Sequence, residues 1–155
     1  MEEKIKKENL VNIITHINEI MSQTEVTLYF QNTKRTAIEL EMVIPQLDNC
    51  VITKFELIKN NQKIVSKLLE KEKAKEKYSD TISTSNGALI SYNSDFETKI
   101  CLGNISSGEE IELKLYYFGH NINKDLSYQS NFPIKFPDFI LGDPKSKKNL
   151  KIILI

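Results

Sequence analysis

The stretch Leu69-Glu70-Lys71-Glu72-Lys73-Ala74-Lys75-Glu76-Lys77-Tyr78-Ser79-Asp80-Thr81-Ile82 carries the clearest helical pattern in the sequence. Its N-terminal half consists of good helix formers without β-branching. The apolar residues Ala74, Tyr78 and Ile82 fall one turn apart and form a single narrow stripe, while lysine and glutamate occupy the other faces. A helix this short, with so thin a stripe, is marginal in isolation. The pattern therefore predicts one short α-helix, over about 68–82, that lies on a larger structure.

The segments on either side of this helix alternate as β-strands do. From Ile111 to Tyr117 every second residue is apolar, and polar residues such as Lys114 stand between them, which predicts a sheet with one buried and one wet face. Polar turns predict hairpins between 25–31 and 36–44, between 51–57 and 62–68, and between 88–92 and 96–102. We therefore expect a mainly β protein, an antiparallel β-sandwich of about eight or more strands with the one short helix.

Residues 10–21 fit two patterns. Leu10, Ile13, Ile14 and Ile17 fall at helical spacing, which favours an amphipathic helix. The same segment also alternates and is dense in β-branched residues, which favours a strand. Periodicity alone leans slightly toward the helix.

Glu70-Lys71 with Ala74 and Tyr78, followed by Gly87-Ala88-Leu89-Ile90, resembles the signature of the VIT domain, named after vault proteins and inter-α-trypsin inhibitor heavy chains. Segments upstream and downstream match the same family in the same order, over about residues 10–142. The resemblance implies structural roles for its motif positions. They are Asn32, Pro45, Phe55, Glu70, Ala74, Tyr78, Gly87, Gly103, Asn104 and Gly108. Because the family begins with a strand, the resemblance also predicts a strand at 10–21.

The resemblance implies a non-catalytic interaction or scaffold module of the kind that precedes a von Willebrand A domain. The implied partner is a protein, either an adjacent von Willebrand A domain or another chain. We expect a charged N-terminal tail at 1–9, a VIT-like domain at 10–142, and a linker with a truncated strand at 143–155 that leads toward a further domain. An alternative is a self-associating structural domain that pairs through the strand 150–155.

Composition argues against two classes of partner. The chain has 155 residues, 21 basic and 21 acidic, so its formal net charge is zero and it offers no basic field for nucleic acid or anionic lipid. The N-terminus is charged and lacks the apolar core of a signal peptide. No apolar run approaches the roughly 20 residues of a membrane span. We expect a cytoplasmic chain without a membrane segment.

The sequence contains no catalytic, cofactor-binding or metal-binding motif that we would assign. We predict that Cys50 and Cys101 behave as small buried hydrophobes, and their disulfide state is left open. The competing hypothesis is a small enzyme or ligand-binding sandwich that uses Cys101 or Cys50 with His120. We expect His120 to lie in a loop after a glycine, His16 on a strand face, and Tyr116 at the surface.

Overall fold

Eleven β-strands make up the part of the chain that the structure describes. The structure is a computed structural model, and it describes residues 10–45, 47–65, 89–94, 97–124, 127–129 and 147–155. The strands are β1 (Leu10–Ile17), β2 (Met21–Gln31), β3 (Ile38–Pro45), β4 (Cys50–Lys59), β5 (Gln62–Val65), β6 (Leu89–Ser94), β7 (Glu97–Ile105), β8 (Glu110–His120), β9 (Ile122–Lys124), β10 (Ser127–Gln129) and β11 (Lys147–Leu154). The predicted helix at 68–82 and the tail at 1–9 lie outside the described residues.

The strands form a six-stranded sheet in the order β11-β1-β2-β8-β4-β5, a three-stranded sheet in the order β3-β7-β6, and the pair β9-β10. Every pairing is antiparallel except that of β1 with β11. The inward faces of the two larger sheets share one hydrophobic core. It contains Val11, Ile13, Val26, Leu28, Phe55, Leu57, Leu113 and Leu115 from the larger sheet and Met42, Ile44, Ile100, Leu102 and Ile105 from the smaller. The predicted mainly β, antiparallel fold is confirmed.

Strand β8 lies at the centre of the larger sheet, between β2 and β4, and keeps the alternation read from the sequence. Ile111, Leu113, Leu115 and Tyr117 are all buried, while the residues between them reach the outer face. The backbone of β8 is therefore hydrogen-bonded to a neighbouring strand along both of its edges.

Residues 10–17 form a strand, which confirms the prediction from the family resemblance over the helical spacing. Val11, Ile13 and Thr15 are buried, whereas Ile14 and His16 are exposed. The strand forms in spite of the helical spacing because β2 and β11 satisfy the backbone of β1 on both edges. A helix here would leave one edge of β2, and the edge of β11 that faces β1, without these hydrogen bonds.

The predicted hairpin between 25–31 and 36–44 is wrong. β2 pairs with β1 and β8 in the larger sheet, whereas β3 pairs with β7 in the smaller one. Residues 32–37 therefore cross from one sheet to the other. The inward residues Leu28 and Met42 face the same core from opposite sheets, and this burial decides the crossing, which turn residues alone do not reveal.

The other two predicted hairpins are confirmed. β4 pairs with β5 around Asn60 and Asn61, whose φ angles of +49° and +60° suit a two-residue hairpin turn that needs positive φ at both positions. β6 pairs with β7. The structure describes β5 up to Val65, and the predicted strand residues 66–68 lie outside the described part.

Candidate functional site

Asn32 joins the two sheets at one end of the sandwich. Its side chain is buried, and Nδ2 donates to the backbone carbonyls of Thr36, Ile105 and Ser106 at 2.9, 2.9 and 3.0 Å. Oδ1 accepts from the backbone N–H of Lys34 at 3.0 Å. One amide side chain thus holds the end of β2, the crossing segment and the turn after β7.

The turn between β7 and β8 closes the same region. The backbone N–H of Gly108 donates to the Asn32 carbonyl at 2.8 Å, and Gly108 has a φ of +75°, which favours glycine. Glu109 accepts from Lys59 Nζ at 3.1 Å and from the backbone N–H of Ser106 at 2.7 Å. Lys59 also donates to the Asn104 carbonyl at 2.6 Å. We call the set Asn32, Lys59, Asn104, Ser106, Gly108 and Glu109 the polar clasp.

The polar clasp is a structural element. Each of its charged side chains is directed at another member of the set, and Glu109 and Lys59 are largely buried. Asn104, with a φ of +51°, lies in a β-bulge of β7, where the register with β3 shifts between Ile38 and Leu40. The polar groups of the clasp hydrogen-bond to one another, so they hold the end of the sandwich together and leave little hydrogen-bonding capacity for a ligand.

The outer face of the larger sheet carries a charged network centred on Glu56. Glu56 is only 1% exposed, and its carboxylate pairs with Lys63 Nζ at 2.7 Å and with the ammonium group of Lys54. Tyr116 donates its hydroxyl to Glu56 Oε2 at 3.0 Å. Desolvation by burial opposes ionisation of Glu56, but the hydrogen bonds from Lys54, Lys63 and Tyr116 outweigh it and lower its pKa to about 2. Glu56 is therefore charged at neutral pH.

Tyr116 is half-buried, where the sequence predicted surface exposure. Lys54 Nζ lies 5.1 Å from the centre of its ring, and burial followed by the Glu56 hydrogen bond raises the pKa of Tyr116 to about 12. Next to this network, Lys114 pairs with Glu25 at 3.3 Å and with Glu112 at 3.5 Å. The acidic and basic side chains at the centre of the outer face thus compensate each other's charge.

A shallow groove of about 350 Å³ lies on this outer face, beside the charged network. Ile14, His16, Gln23, Tyr116 and Phe118 are among the residues that line it. His16 lies on a strand face, as predicted. The lining mixes apolar and polar side chains without converging charges, so the groove points to no particular ligand chemistry.

The edge strand β11 presents three exposed apolar side chains at alternate positions. Leu150 is 51% exposed, Ile152 50% and Leu154 80%. In the register with β1 these residues stand beside Ile13, Thr15 and Ile17, on the core side of the sheet, yet half or more of each remains exposed. We call Leu150, Ile152 and Leu154 the apolar edge. A row of uncovered apolar residues on an edge strand is typical of a protein-interaction surface.

No group of three His, Cys, Asp or Glu side chains in the described segments is placed to hold a metal ion. Over the same residues, no helix is long and apolar enough to cross a bilayer.

Comparison with known proteins identifies the family. The model of the Vault protein inter-alpha-trypsin domain, VIT, matches residues 9–117. The chain belongs to this family. The match confirms the resemblance drawn from the sequence motifs.

Three longer proteins each contain a segment that is similar to this chain. A von Willebrand factor A domain-containing protein of Dictyostelium discoideum is 28% identical over 145 residues, which cover 88% of this chain and 16% of that protein. Von Willebrand factor A domain-containing protein 5A of Rattus norvegicus is 26% identical over 110 residues, 69% of this chain and 13% of that protein. Protein mono-ADP-ribosyltransferase PARP4 of Mus musculus is 26% identical over 127 residues, which cover 81% of this chain and 6% of that protein. This chain spans less than a fifth of the length of each.

A solved M1 zinc metallopeptidase from Deinococcus radiodurans shows a distant likeness, with a TM-score of 0.39 and 12% identity over 74% of this chain and 20% of that one. A likeness of this size carries no argument about function.

The motif positions of the VIT resemblance fall into separate regions. Asn32, Asn104 and Gly108 meet in the polar clasp, and Gly103 is buried next to it. Phe55 lies in the core, and Pro45 is the last residue of β3. The remaining positions, Glu70, Ala74, Tyr78 and Gly87, lie outside the described residues. The motif thus includes one contiguous structural cluster, while Lys59 and Glu109, which complete it, carry no recognisable sequence signal.

The structure separates the thiols of the VIT domain from His120. Cys50 is buried and pairs with Gly119, with its side chain on the inner face of the sheet. His120 is the next residue along β8, so its exposed side chain points to the opposite face. Cys101 is half-buried in the other sheet. Both cysteines are free, and burial raises the pKa of each thiol. His120 ends β8, so its predicted position in a loop is wrong.

Proposed function

We propose that this VIT domain is a non-catalytic protein-interaction module that docks onto a von Willebrand A domain through the apolar edge of β11. The observation that carries the proposal is the exposure of Leu150, Ile152 and Leu154 on a strand at the end of the sheet. Covering one such half-exposed side chain, about 100 Å² of surface, contributes about 2 kcal/mol, because removing apolar surface from water is favourable at about 25 cal/mol per Å².

The edge itself adds a second source of affinity. In the described residues β11 pairs only with β1, so one side of its backbone offers donors and acceptors to an incoming segment. A partner strand added there gains main-chain hydrogen bonds as well as apolar contact. The opposite edge of the sheet offers less to a partner, because Lys63 of β5 already pairs with Glu56 at 2.7 Å.

The relatives support the choice of partner. Two of them are named for a von Willebrand factor A domain, and the segments that match this chain cover only a small part of each. The two kinds of domain therefore recur in one polypeptide, which keeps them at a high effective concentration even when their direct affinity is modest.

The thiols support a non-catalytic role. A cysteine nucleophile must be a thiolate, and its pKa is usually lowered by a nearby histidine or a positive charge. Here burial raises the pKa of Cys50, and burial together with Glu41 raises that of Cys101. Neither thiol has the environment that a Cys–His hydrolase needs.

The test is a calorimetric titration of this chain with the von Willebrand A domain of the Dictyostelium relative. The VIT segment of that relative serves as the positive control. We expect this chain to bind, Ile152→Lys to weaken the binding about tenfold or more, and Val65→Lys to leave it unchanged. Ile152 and Val65 are matched, since they are 50% and 48% exposed on the two opposite edge strands.

The proposal fails if the relative's own VIT segment binds the domain and this chain does not. It also fails if Ile152→Lys and Val65→Lys bind as well as the unmodified chain, because the apolar edge would then not be the contact surface.

A further inference from the structure

We infer that the apolar edge of β11 also pairs with β11 of a second copy of this chain, antiparallel across a two-fold axis at Ile152. The inference rests on the proposed function, since it assigns a second partner to the same edge.

The backbone N–H and C=O groups of β11 point alternately toward β1 and toward the open edge of the sheet. The N–H of Ile155 donates to the carbonyl of Ile17 at 2.9 Å, so residue 155 faces β1. Because alternate residues of a strand face opposite neighbours, Lys151 and Ile153 also face β1, and Leu150, Ile152 and Leu154 direct their N–H and C=O groups to the open edge. No described strand pairs with that edge.

The residues with open backbone groups are thus the same residues whose side chains form the apolar edge. A two-fold axis at Ile152 places Ile152 opposite Ile152 of the other copy and Leu150 opposite its Leu154. All three pairs are of the hydrogen-bonded kind and together give about six backbone hydrogen bonds. Since paired residues point to the same face, their apolar side chains meet in one continuous row.

The lysines of β11 disfavour the two registers that precede this one. A two-fold axis one residue earlier, at Lys151, would place the two Lys151 ammonium groups directly opposite each other, and like charges in that position are destabilising. An axis at Leu150 would bring Lys148 opposite Ile152. The axis at Ile152 places Lys151 opposite Ile153, so no two lysines of the paired stretch 150–154 face each other.

The area predicts a weak dimer. Covering the exposed parts of the apolar edge in both copies removes on the order of 600 Å² of surface, which is below the ~1,200 Å² of stable interfaces. We therefore expect a dissociation constant in the range of about 10–500 µM, so that a tighter partner on the same edge displaces the second copy.

Sedimentation equilibrium of the whole chain between about 5 µM and about 1 mM tests the inference. We expect a monomer–dimer equilibrium in this range. Ile152→Lys brings its own two ammonium groups together at the axis and should weaken the dimer at least about tenfold. Val65→Lys, the matched change on the opposite edge, should not alter it. A circular dichroism melt confirms that both variants are folded.

Oxidative cross-linking tests the register. Only the residue on a two-fold axis meets its own copy, so Ile152→Cys should form a symmetric disulfide dimer under mild oxidant. Leu150→Cys should not, because it faces Leu154 of the other copy. The unmodified chain, with Cys50 and Cys101, gives the background. Faster cross-linking of Leu150→Cys than of Ile152→Cys would overturn the assigned register.

The two proposals fail separately. A chain that is monomeric at every concentration, or a dimer that Ile152→Lys leaves intact, overturns the self-pairing. If the von Willebrand A domain still binds and still requires Ile152, the proposed function stands without it. If neither self-association nor domain binding depends on Ile152, both are wrong.

Discussion

The side chain of Asn32 donates a hydrogen bond to the backbone carbonyl of Ile105 at 2.9 Å, across 73 residues of sequence. Asn32 follows the last residue of β2 in the larger sheet, and Ile105 is the last residue of β7 in the smaller one. This contact therefore links the two sheets of the sandwich at the point where the chain crosses between them. The energetic role of the polar clasp can be measured through it.

Asn32→Asp should destabilise the fold by roughly 3–5 kcal/mol, because it keeps the shape of the side chain but directs a buried carboxylate at three carbonyl oxygens in place of an amide donor. Urea unfolding followed by circular dichroism measures the loss. Asn123→Asp, the same change at an exposed position, should alter the free energy of unfolding by less than about 0.5 kcal/mol. Equal effects for the two variants would contradict the role assigned to the polar clasp.

Glu56 should make the fold sensitive to acid. Its pKa is lowered from 4.5 to about 2 in the folded chain, so its contribution to stability is complete above the ordinary pKa and is lost as the pH falls toward 2. Glu56→Gln should cost roughly 1–3 kcal/mol at pH 7, and its difference from the unmodified chain should shrink between pH 5 and pH 2.

The control for this prediction is Glu41→Gln. Glu41 also pairs with a lysine, Lys99, at 3.1 Å, but its side chain is 55% exposed, so water already screens the pair. We expect a change below about 0.5 kcal/mol with little pH dependence. A Glu56→Gln variant whose stability stays parallel to the unmodified chain from pH 7 to pH 2 would contradict the assigned charge network.

The turn between β4 and β5 should reject β-branched residues. Asn61 has a φ of +60°, a conformation that asparagine tolerates and valine does not. Asn61→Val should therefore cost about 1–3 kcal/mol in thermal or urea unfolding. Gln62→Val, one residue later in the exposed part of β5, should be nearly neutral. If both valines are tolerated alike, the positive φ is not a constraint on this turn.

The thiols should react slowly and in a fixed order. Burial raises the pKa of both, so each has less thiolate near pH 8 than an ordinary cysteine, and their alkylation rates should rise with pH to above pH 9. Cys50 is buried and should react more slowly with iodoacetamide than the half-buried Cys101. Mass spectrometry of timed samples measures both rates. A thiol that reacts faster than free cysteine at pH 7 would revive the Cys–His hypothesis.

Local pattern predicted the strands and their faces well. The alternation of β8 and the Asn60-Asn61 turn each depend on neighbours in sequence, so periodicity and turn chemistry were enough to predict a buried face and a hairpin. The family motifs resolved residues 10–21, where the helical and strand patterns competed. In that segment the deciding interactions are pairings with β2 and β11, which are distant along the chain.

The candidate sites depended more on tertiary structure. Nothing in the sequence around Glu56 shows that Lys63 and Tyr116 surround it, because these residues come together only through the pairing of β4 with β5 and with β8. The same is true of Lys59 and Glu109 in the polar clasp. Burial and charge at such positions come from contacts between strands, which residue type and spacing do not encode individually.

Alternation, turn residues and ordered motifs are properties of neighbouring residues, and they were enough to predict a β-rich VIT domain. Contacts between distant segments place β2 and β3 in different sheets, put β11 at the edge of the larger sheet beside β1, and leave Leu150, Ile152 and Leu154 half or more exposed. The physical reason is that strand pairing depends on which apolar faces share one core, and that choice is made by the whole chain at once.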